Sequence, residues 1–169
     1  MRNLELNNCV SVQPVQLALS DTPETRRNLR ADTGYGDMYR YLVSEPAQGL
    51  DPAGELVRVT TLDEHVKRAG LPSPDFVKVD VEGGEYRVLL VARQALSGNP
   101  NTVVMFESEP DWCARAGCRQ QDAFGALRDL GFELHAWNTR LGAWESEDRK
   151  LLRSRTVWAC RDRTRLPTI

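Results

Sequence analysis

The clearest hydrophobic pattern in the chain lies between residues 75 and 96. Residues 76–81 form a nearly continuous apolar run, which is typical of a strand buried on both faces. Gly83 and Gly84 follow, and they allow the backbone to turn sharply. Apolar residues then recur at helical spacing over 88–96. This stretch therefore predicts a strand, a tight turn and a helix, which together form half of a βαβ unit.

Similar patterns elsewhere predict further elements. Alternating or continuous apolar residues predict strands over 10–19, 102–107, 132–137 and 156–160, and a hairpin across 39–60 within an otherwise polar, irregular segment. Helices are predicted from Leu62, with Thr61 and Glu64 in a capping-box pattern, and over 122–130. Strands that alternate with helices predict an α/β fold whose sheet is mostly parallel, with the last two strands forming an antiparallel pair at its edge.

Composition narrows the class of protein. A chain of 169 residues is expected to form a single domain over 1–169, and a hydrophobic content of 41% is ordinary for a globular protein. The net charge of −2 favours neither nucleic acid nor an anionic membrane surface as a partner. No apolar run approaches the roughly 20 residues that span a bilayer. The spacing of Cys113 and Cys118 fits no common zinc pattern, so we expect no metal site and a cytoplasmic location.

Polar residues cluster at the predicted carboxyl ends of strands, where α/β sheets bind ligands. Lys78, Asp80 and Glu82 share one side of their strand, and Glu107 ends the next one. For Lys78 and Asp80 the alternative is a structural ion pair on the sheet face. For Glu82 and Glu85 the alternative is that they are ordinary carboxylates at the start of a helix, where negative charges are favoured.

Three further candidates lie outside this segment. Ser20 and Asp21 follow the predicted strand 10–19 and are either turn residues or ligand contacts. His135, with Trp137 and Trp144 nearby in the sequence, either lines a pocket or is a structural histidine.

The segment that starts at Phe76 and reads Phe-Val-Lys-Val-Asp-Val-Glu-Gly-Gly-Glu, followed by Val88 and Leu89, resembles the hallmark of FkbM-type S-adenosylmethionine-dependent methyltransferases. Weaker matches occur in the family's order over about residues 3–110. They are Asn3–Asn8, Leu17–Asp21, Thr60–Glu64 and Val104–Glu107.

This resemblance implies a class I methyltransferase (Rossmann-like) fold and transfer of a methyl group from S-adenosylmethionine to an oxygen of a small acceptor, often a sugar or secondary metabolite. Leu19, Ser20 and Asp21 would border the adenine of the cofactor. Asp80, Lys78 and Glu82 would form the catalytic group, with Asp80 or Glu82 as the base. Apart from the resemblance, the residue pattern makes Glu85, Glu107 and His135 the candidates for contacts with the acceptor.

The resemblance begins at Asn3, whereas the family's first strand, glycine-rich cofactor loop and second strand are expected before that point. In the family's sheet those strands lie between the strands predicted at 10–19 and 76–81. We therefore expect an incomplete sheet with exposed edges, through which two copies could associate. Two hypotheses follow, a truncated methyltransferase and a non-catalytic remnant that serves as a binding or interaction module.

Overall fold

A computed structural model describes residues 2–22, 25–31, 40–42 and 54–168. The strands are β1 (Ala18–Leu19), β2 (Thr25–Ala31), β3 (Arg40–Leu42), β4 (Gly54–Thr60), β5 (Phe76–Val79), β6 (Val103–Glu107), β7 (Glu133–Asn138), β8 (Ala143–Glu145) and β9 (Thr156–Cys160). The α-helices are α1 (Arg2–Leu6), α2 (Leu62–Arg68), α3 (Glu85–Leu90), α4 (Arg93–Ser97), α5 (Pro110–Arg115), α6 (Gln120–Arg128) and α7 (Asp148–Leu151). None of the helices in these ranges is long and apolar enough to cross a membrane.

The described strands form two mixed sheets. One has the order β1-β4-β2-β3 and the other the order β5-β6-β9-β7-β8. The pairs β1–β4 and β5–β6 are parallel, and the other described pairs are antiparallel. The α/β class is thus confirmed, but the expected mostly parallel sheet is not. Short connections, such as the turn between β7 and β8, permit only antiparallel pairing.

The main core lies between the five-stranded sheet and the helices on one of its faces. Phe106 of β6 packs edge-on against Phe124 of α6 with 6.0 Å between ring centroids, and both side chains are buried. Leu89 of α3 and Leu127 of α6 complete this layer. Helix α2 is joined to this layer through Asp63. The Asp63 carboxylate accepts hydrogen bonds from the backbone N–H groups of Gln94 and Ala95 at the start of α4. The segment that follows β4 is thereby attached to the second sheet.

Several predicted elements are confirmed. Strand β5 and the turn are followed by a helix as expected, but the single helix predicted through residue 96 is divided into α3 and α4. Thr61 caps α2 by accepting the backbone N–H of Glu64 at 3.1 Å. The last two predicted strands do pair antiparallel, as β7 and β9. However, β9 lies inside the sheet between β6 and β7, and β8 forms the edge.

Other predictions are wrong. The strand expected over 10–19 is limited to Ala18–Leu19, and Val10 is 96% exposed because no described element covers its side chain. The hairpin across 39–60 is replaced by β2, which lies between β3 and β4 and pairs with both, while residues 43–53 of that hairpin lie outside the described residues.

Within the described chain β5 is an edge strand, and Phe76 is 51% exposed, so the expected burial on both faces is not found. Strand β1 also has a neighbour on one side only among the described strands. Both edges agree with the sheet edges expected from the resemblance.

Candidate functional site

The turn after β5 fixes the position of Glu82. Glu82 and Gly83 both adopt positive φ angles, 52° and 96°. A Cβ atom on Gly83 would lie 2.3 Å from the carbonyl oxygen of Trp112, so only glycine fits. The carboxylate of Glu85, which is 3% exposed, accepts the backbone N–H of Val81 at 2.9 Å. These constraints hold the turn in one conformation in which a non-glycine residue, Glu82, occupies a strained region typical of functional sites.

Three carboxylates meet beside this turn. Strands β5 and β6 pair in parallel with Val79 opposite Phe106, so the next residues, Asp80 and Glu107, lie side by side. Carboxylate oxygens of Asp80, Glu82 and Glu107 all lie within 4.8 Å of one another. Carboxylates this close share protons or bind a hard cation such as Mg²⁺ or Ca²⁺.

The electrostatics of this carboxylate cluster (Asp80, Glu82 and Glu107) favour proton binding. Burial, followed by the charges of Glu107, Asp80 and Glu85, raises the pKa of Glu82 to about 7. Burial and the charge of Asp80 also raise the pKa of Glu107. One carboxylate oxygen of Glu82, Oε2, is buried without a hydrogen-bond partner among the described residues. Glu82 is therefore suited to gain or lose a proton near neutral pH.

Lys78 and Asp80 form an exposed ion pair next to the cluster. The Lys78 ammonium donates to Asp80, and about half of each side chain is in contact with solvent. This hydrogen bond raises the pKa of Lys78. Lys78 thus keeps a positive charge beside Asp80 and orients its carboxylate.

A cavity of about 290 Å³ lies between the four-stranded sheet and the turn that carries Glu82. Its wall combines apolar side chains, arginines, two hydroxyl groups and one carboxylate. The lining residues are Leu19, Ser20, Arg27, Arg30, Tyr41, Leu42, Val81, Glu82, Gly84, Arg87, Trp112, Arg115 and Ala116. The structure thus brings Leu19 and Ser20, predicted near the cofactor, to the same cavity as Glu82, predicted near the reacting atoms.

Asp21 lies next to this wall and joins two arginines. Its Oδ1 is 3.3 Å from Arg27 of β2, and its Oδ2 is 2.9 Å from Arg87 of α3. Burial opposes ionisation of Asp21, but hydrogen bonds from Ser20 and Arg87 outweigh it and lower its pKa. Asp21 therefore stays ionised and links β2 to α3 at the cavity.

Two predicted substrate contacts lie elsewhere. Glu85 is occupied by the backbone of the turn and does not line the cavity. His135 lies on β7, with β6 and β9 between it and β5, which is about 14 Å at the usual strand spacing. His135 is 2% exposed, neither ring nitrogen has a hydrogen-bond partner among the described residues, and burial lowers its pKa.

Sequence reasoning missed Arg27, Arg87 and Trp112. Arg27 lies in a segment that was expected to be irregular, and Trp112 reaches the site only through tertiary packing. Arg87 could have been found, because it lies one helical turn after Gly83 and Gly84 on a helix that starts at the site.

Comparisons with known proteins give one match. A family model described as a methyltransferase FkbM domain matches residues 2–134, a span that includes every residue lining the cavity. Neither the curated proteins nor the solved structures contain a match to this chain.

Proposed function

The chain belongs to the FkbM methyltransferase family, and on this premise we propose that it transfers a methyl group from S-adenosylmethionine to a hydroxyl oxygen of a small acceptor. The observation that carries this proposal is the position of Glu82. Its carboxylate, with a pKa of about 7, lines the same cavity as Leu19 and Ser20 and belongs to the carboxylate cluster.

The residues of the cavity suit the chemistry of this cofactor. Leu19 offers an apolar surface and Ser20 a hydroxyl to a nucleoside, while the carboxylate cluster suits a cationic group. When bound, S-adenosylmethionine supplies an electrophilic methyl carbon on a positively charged sulfur. Asp80 and Glu107 would stabilise that charge and hold it beside the cavity.

Glu82 is the base in this proposal. Its carboxylate, which lines the cavity, would take the proton of the acceptor hydroxyl as the oxygen–methyl bond forms and the methyl–sulfur bond breaks, leaving S-adenosylhomocysteine with a neutral sulfur. Lys78 orients Asp80 through their hydrogen bond and does not contact the acceptor. The strained turn holds Glu82 in place, so that much of the catalysis comes from positioning.

Calorimetric titration tests the proposal with two ligands that differ in charge at sulfur. The whole chain is titrated with S-adenosylmethionine, whose sulfur is cationic, and with S-adenosylhomocysteine, whose sulfur is neutral. We expect both ligands to bind. We also expect Asp80→Asn to weaken binding of the cationic ligand several-fold more than binding of the neutral one. Glu147→Gln, at an exposed carboxylate before α7, is the control and should change neither affinity.

Absence of heat with both ligands at millimolar concentration would overturn the proposal. The second candidate, a non-catalytic binding module, would then be favoured. It is supported by the edge positions of β1 and β5 in the described chain, because strand edges carry backbone groups that can pair with another chain.

A further inference from the structure

The cavity wall is rich in arginine. Arg27, Arg30, Arg87 and Arg115 line it, whereas Glu82 is its one lining carboxylate among the described residues. Of these charged groups the proposed mechanism uses only Glu82, so the four arginines need an explanation of their own. The contacts of Arg27 and Arg87 indicate what it binds.

Arg27 is a buried guanidinium with an unused donor. Its side chain is 4% exposed, and its terminal nitrogens donate to Ser20 at 3.4 Å, to Asp21 at 3.3 Å and to Thr22. Its Nε–H is buried and has no hydrogen-bond partner among the described residues. A buried donor is costly to leave unpaired, so a small shift of the side chain that brings this donor to an acceptor on a ligand is favoured.

Arg87 shares its counter-charge with Arg27. Both guanidinium groups pair with the single carboxylate of Asp21, so these three side chains together carry one positive charge. Arg87 also donates to the carbonyl oxygen of Ala116 at 3.2 Å, which fixes its orientation. Guanidinium groups held in this way bind carboxylates and phosphates well, because little entropy is lost on binding.

We infer that the acceptor is a small hydroxylated anion whose carboxylate or phosphate group is bound by Arg27 and Arg87. The body of the acceptor lies against Leu42, Val81 and Trp112, and its hydroxyl faces Glu82. Because the cavity of about 290 Å³ must also admit the nucleoside of the donor at Leu19 and Ser20, the body of the acceptor is limited to about one ring. The identity of the hydroxyl as the methylated group rests on the proposed function, whereas the anion site does not.

The test uses two pairs of probes that differ in charge. One pair is 4-hydroxybenzoate and the neutral 4-hydroxybenzamide, and the other is glucuronate and the neutral glucose. We expect the anion of at least one pair to bind the whole chain at least about tenfold more tightly than its neutral partner. The pair that shows the preference distinguishes an aromatic body from a sugar body.

Three variants test where the anion binds. Arg87→Gln should abolish the preference, Arg87→Lys should retain part of it because the charge remains, and Arg93→Gln, at an exposed arginine of α4 outside the cavity, should leave it unchanged. No preference in either pair, or a preference that survives Arg87→Gln, would overturn the inference.

S-adenosylhomocysteine titrated into the same samples separates this inference from the proposed function. If Arg87→Gln lowers the affinity for S-adenosylhomocysteine as much as the affinity for the anionic probe, the arginines bind the donor's carboxylate and the inference is wrong. If the anion preference is present but neither S-adenosylhomocysteine nor S-adenosylmethionine binds, the anion site stands and the proposed methyl transfer is overturned. If S-adenosylhomocysteine binds but neither anion is preferred over its neutral partner, the anion site is excluded and the proposed function is unaffected.

Discussion

At the scale of single residues, two ion pairs beside the site differ in burial. Asp21 pairs with Arg27, whose side chain is 4% exposed, whereas the side chains of Lys78 and Asp80 are each about half exposed. Removing one partner of a buried pair leaves an uncompensated charge, which typically costs about 3–5 kcal/mol. An exposed pair contributes about 0–1 kcal/mol.

We therefore predict that Asp21→Asn lowers the free energy of unfolding by about 2–4 kcal/mol, since the asparagine amide still accepts one hydrogen bond. Asp80→Asn, the matched control, should lower it by less than about 1 kcal/mol. Urea denaturation at pH 7 measures both. Equal losses in the two variants would show that Asp21 is not the carboxylate that compensates the buried arginine.

A second prediction at this scale concerns Glu82. Its pKa is raised to about 7 in the folded chain, so the folded state retains a proton that the unfolded state loses from about pH 4.5 upwards. The stability that Glu82 contributes is therefore present at low pH and is lost as the pH rises through about 7. Above that pH its charge is repelled by Asp80 and Glu107.

Glu82→Gln removes this repulsion. The variant should match the wild type near pH 5 and exceed it by on the order of 1 kcal/mol at pH 8. Glu147→Gln provides the control and should show a constant difference across this range. Denaturation midpoints at several pH values give the comparison, and a difference that does not change with pH would contradict the assignment of the proton to Glu82.

At the scale of elements, the turn between β5 and α3 positions the site. Gly83→Ala would place a Cβ atom against the carbonyl oxygen of Trp112 at a backbone angle that alanine rarely adopts. We expect a loss of about 2–4 kcal/mol in the free energy of unfolding. Gly117→Ala, which also has a positive φ but no atom within 4 Å of its Cβ, should lose only about 1 kcal/mol. Similar losses would indicate that the contact with Trp112 is unimportant.

The same turn shows what the sequence can predict. Strand β5, its glycines and α3 were predicted correctly because their apolar periods and the turn residues are local properties. Strand β2 was missed because Thr25–Ala31 has only Leu29 and Ala31 as apolar residues, so no alternation marks it. Its place in the sheet comes from pairing with β3 and β4 on both sides.

Edge positions could not be predicted from the residue pattern alone. The apolar run of β5 predicted burial on both faces, yet the described strand has one neighbour and an exposed Phe76. A periodic pattern shows which residues can be buried, but partners distant in the sequence decide whether they are. The family resemblance, which includes sheet order, predicted the edge correctly.

At the scale of the whole molecule, the cavity is formed by segments far apart in the sequence. Leu19, Tyr41, Val81 and Trp112 come from separate parts of the chain, and the bond between Arg87 and Asp21 joins residues 66 positions apart. The carboxylate cluster could be predicted, because neighbouring parallel strands end at the same edge of a sheet. The arginine wall could not, because it depends on how the two sheets pack.

The central claim is that this cavity and the carboxylate cluster form a methyl-donor site. A crystal structure of the whole chain with S-adenosylhomocysteine tests it most directly. We predict the nucleoside against Leu19 and Ser20, with the sulfur directed toward the carboxylate oxygens of Asp80, Glu82 and Glu107. A ligand bound elsewhere on the chain, or an empty cavity at millimolar ligand, would contradict the account.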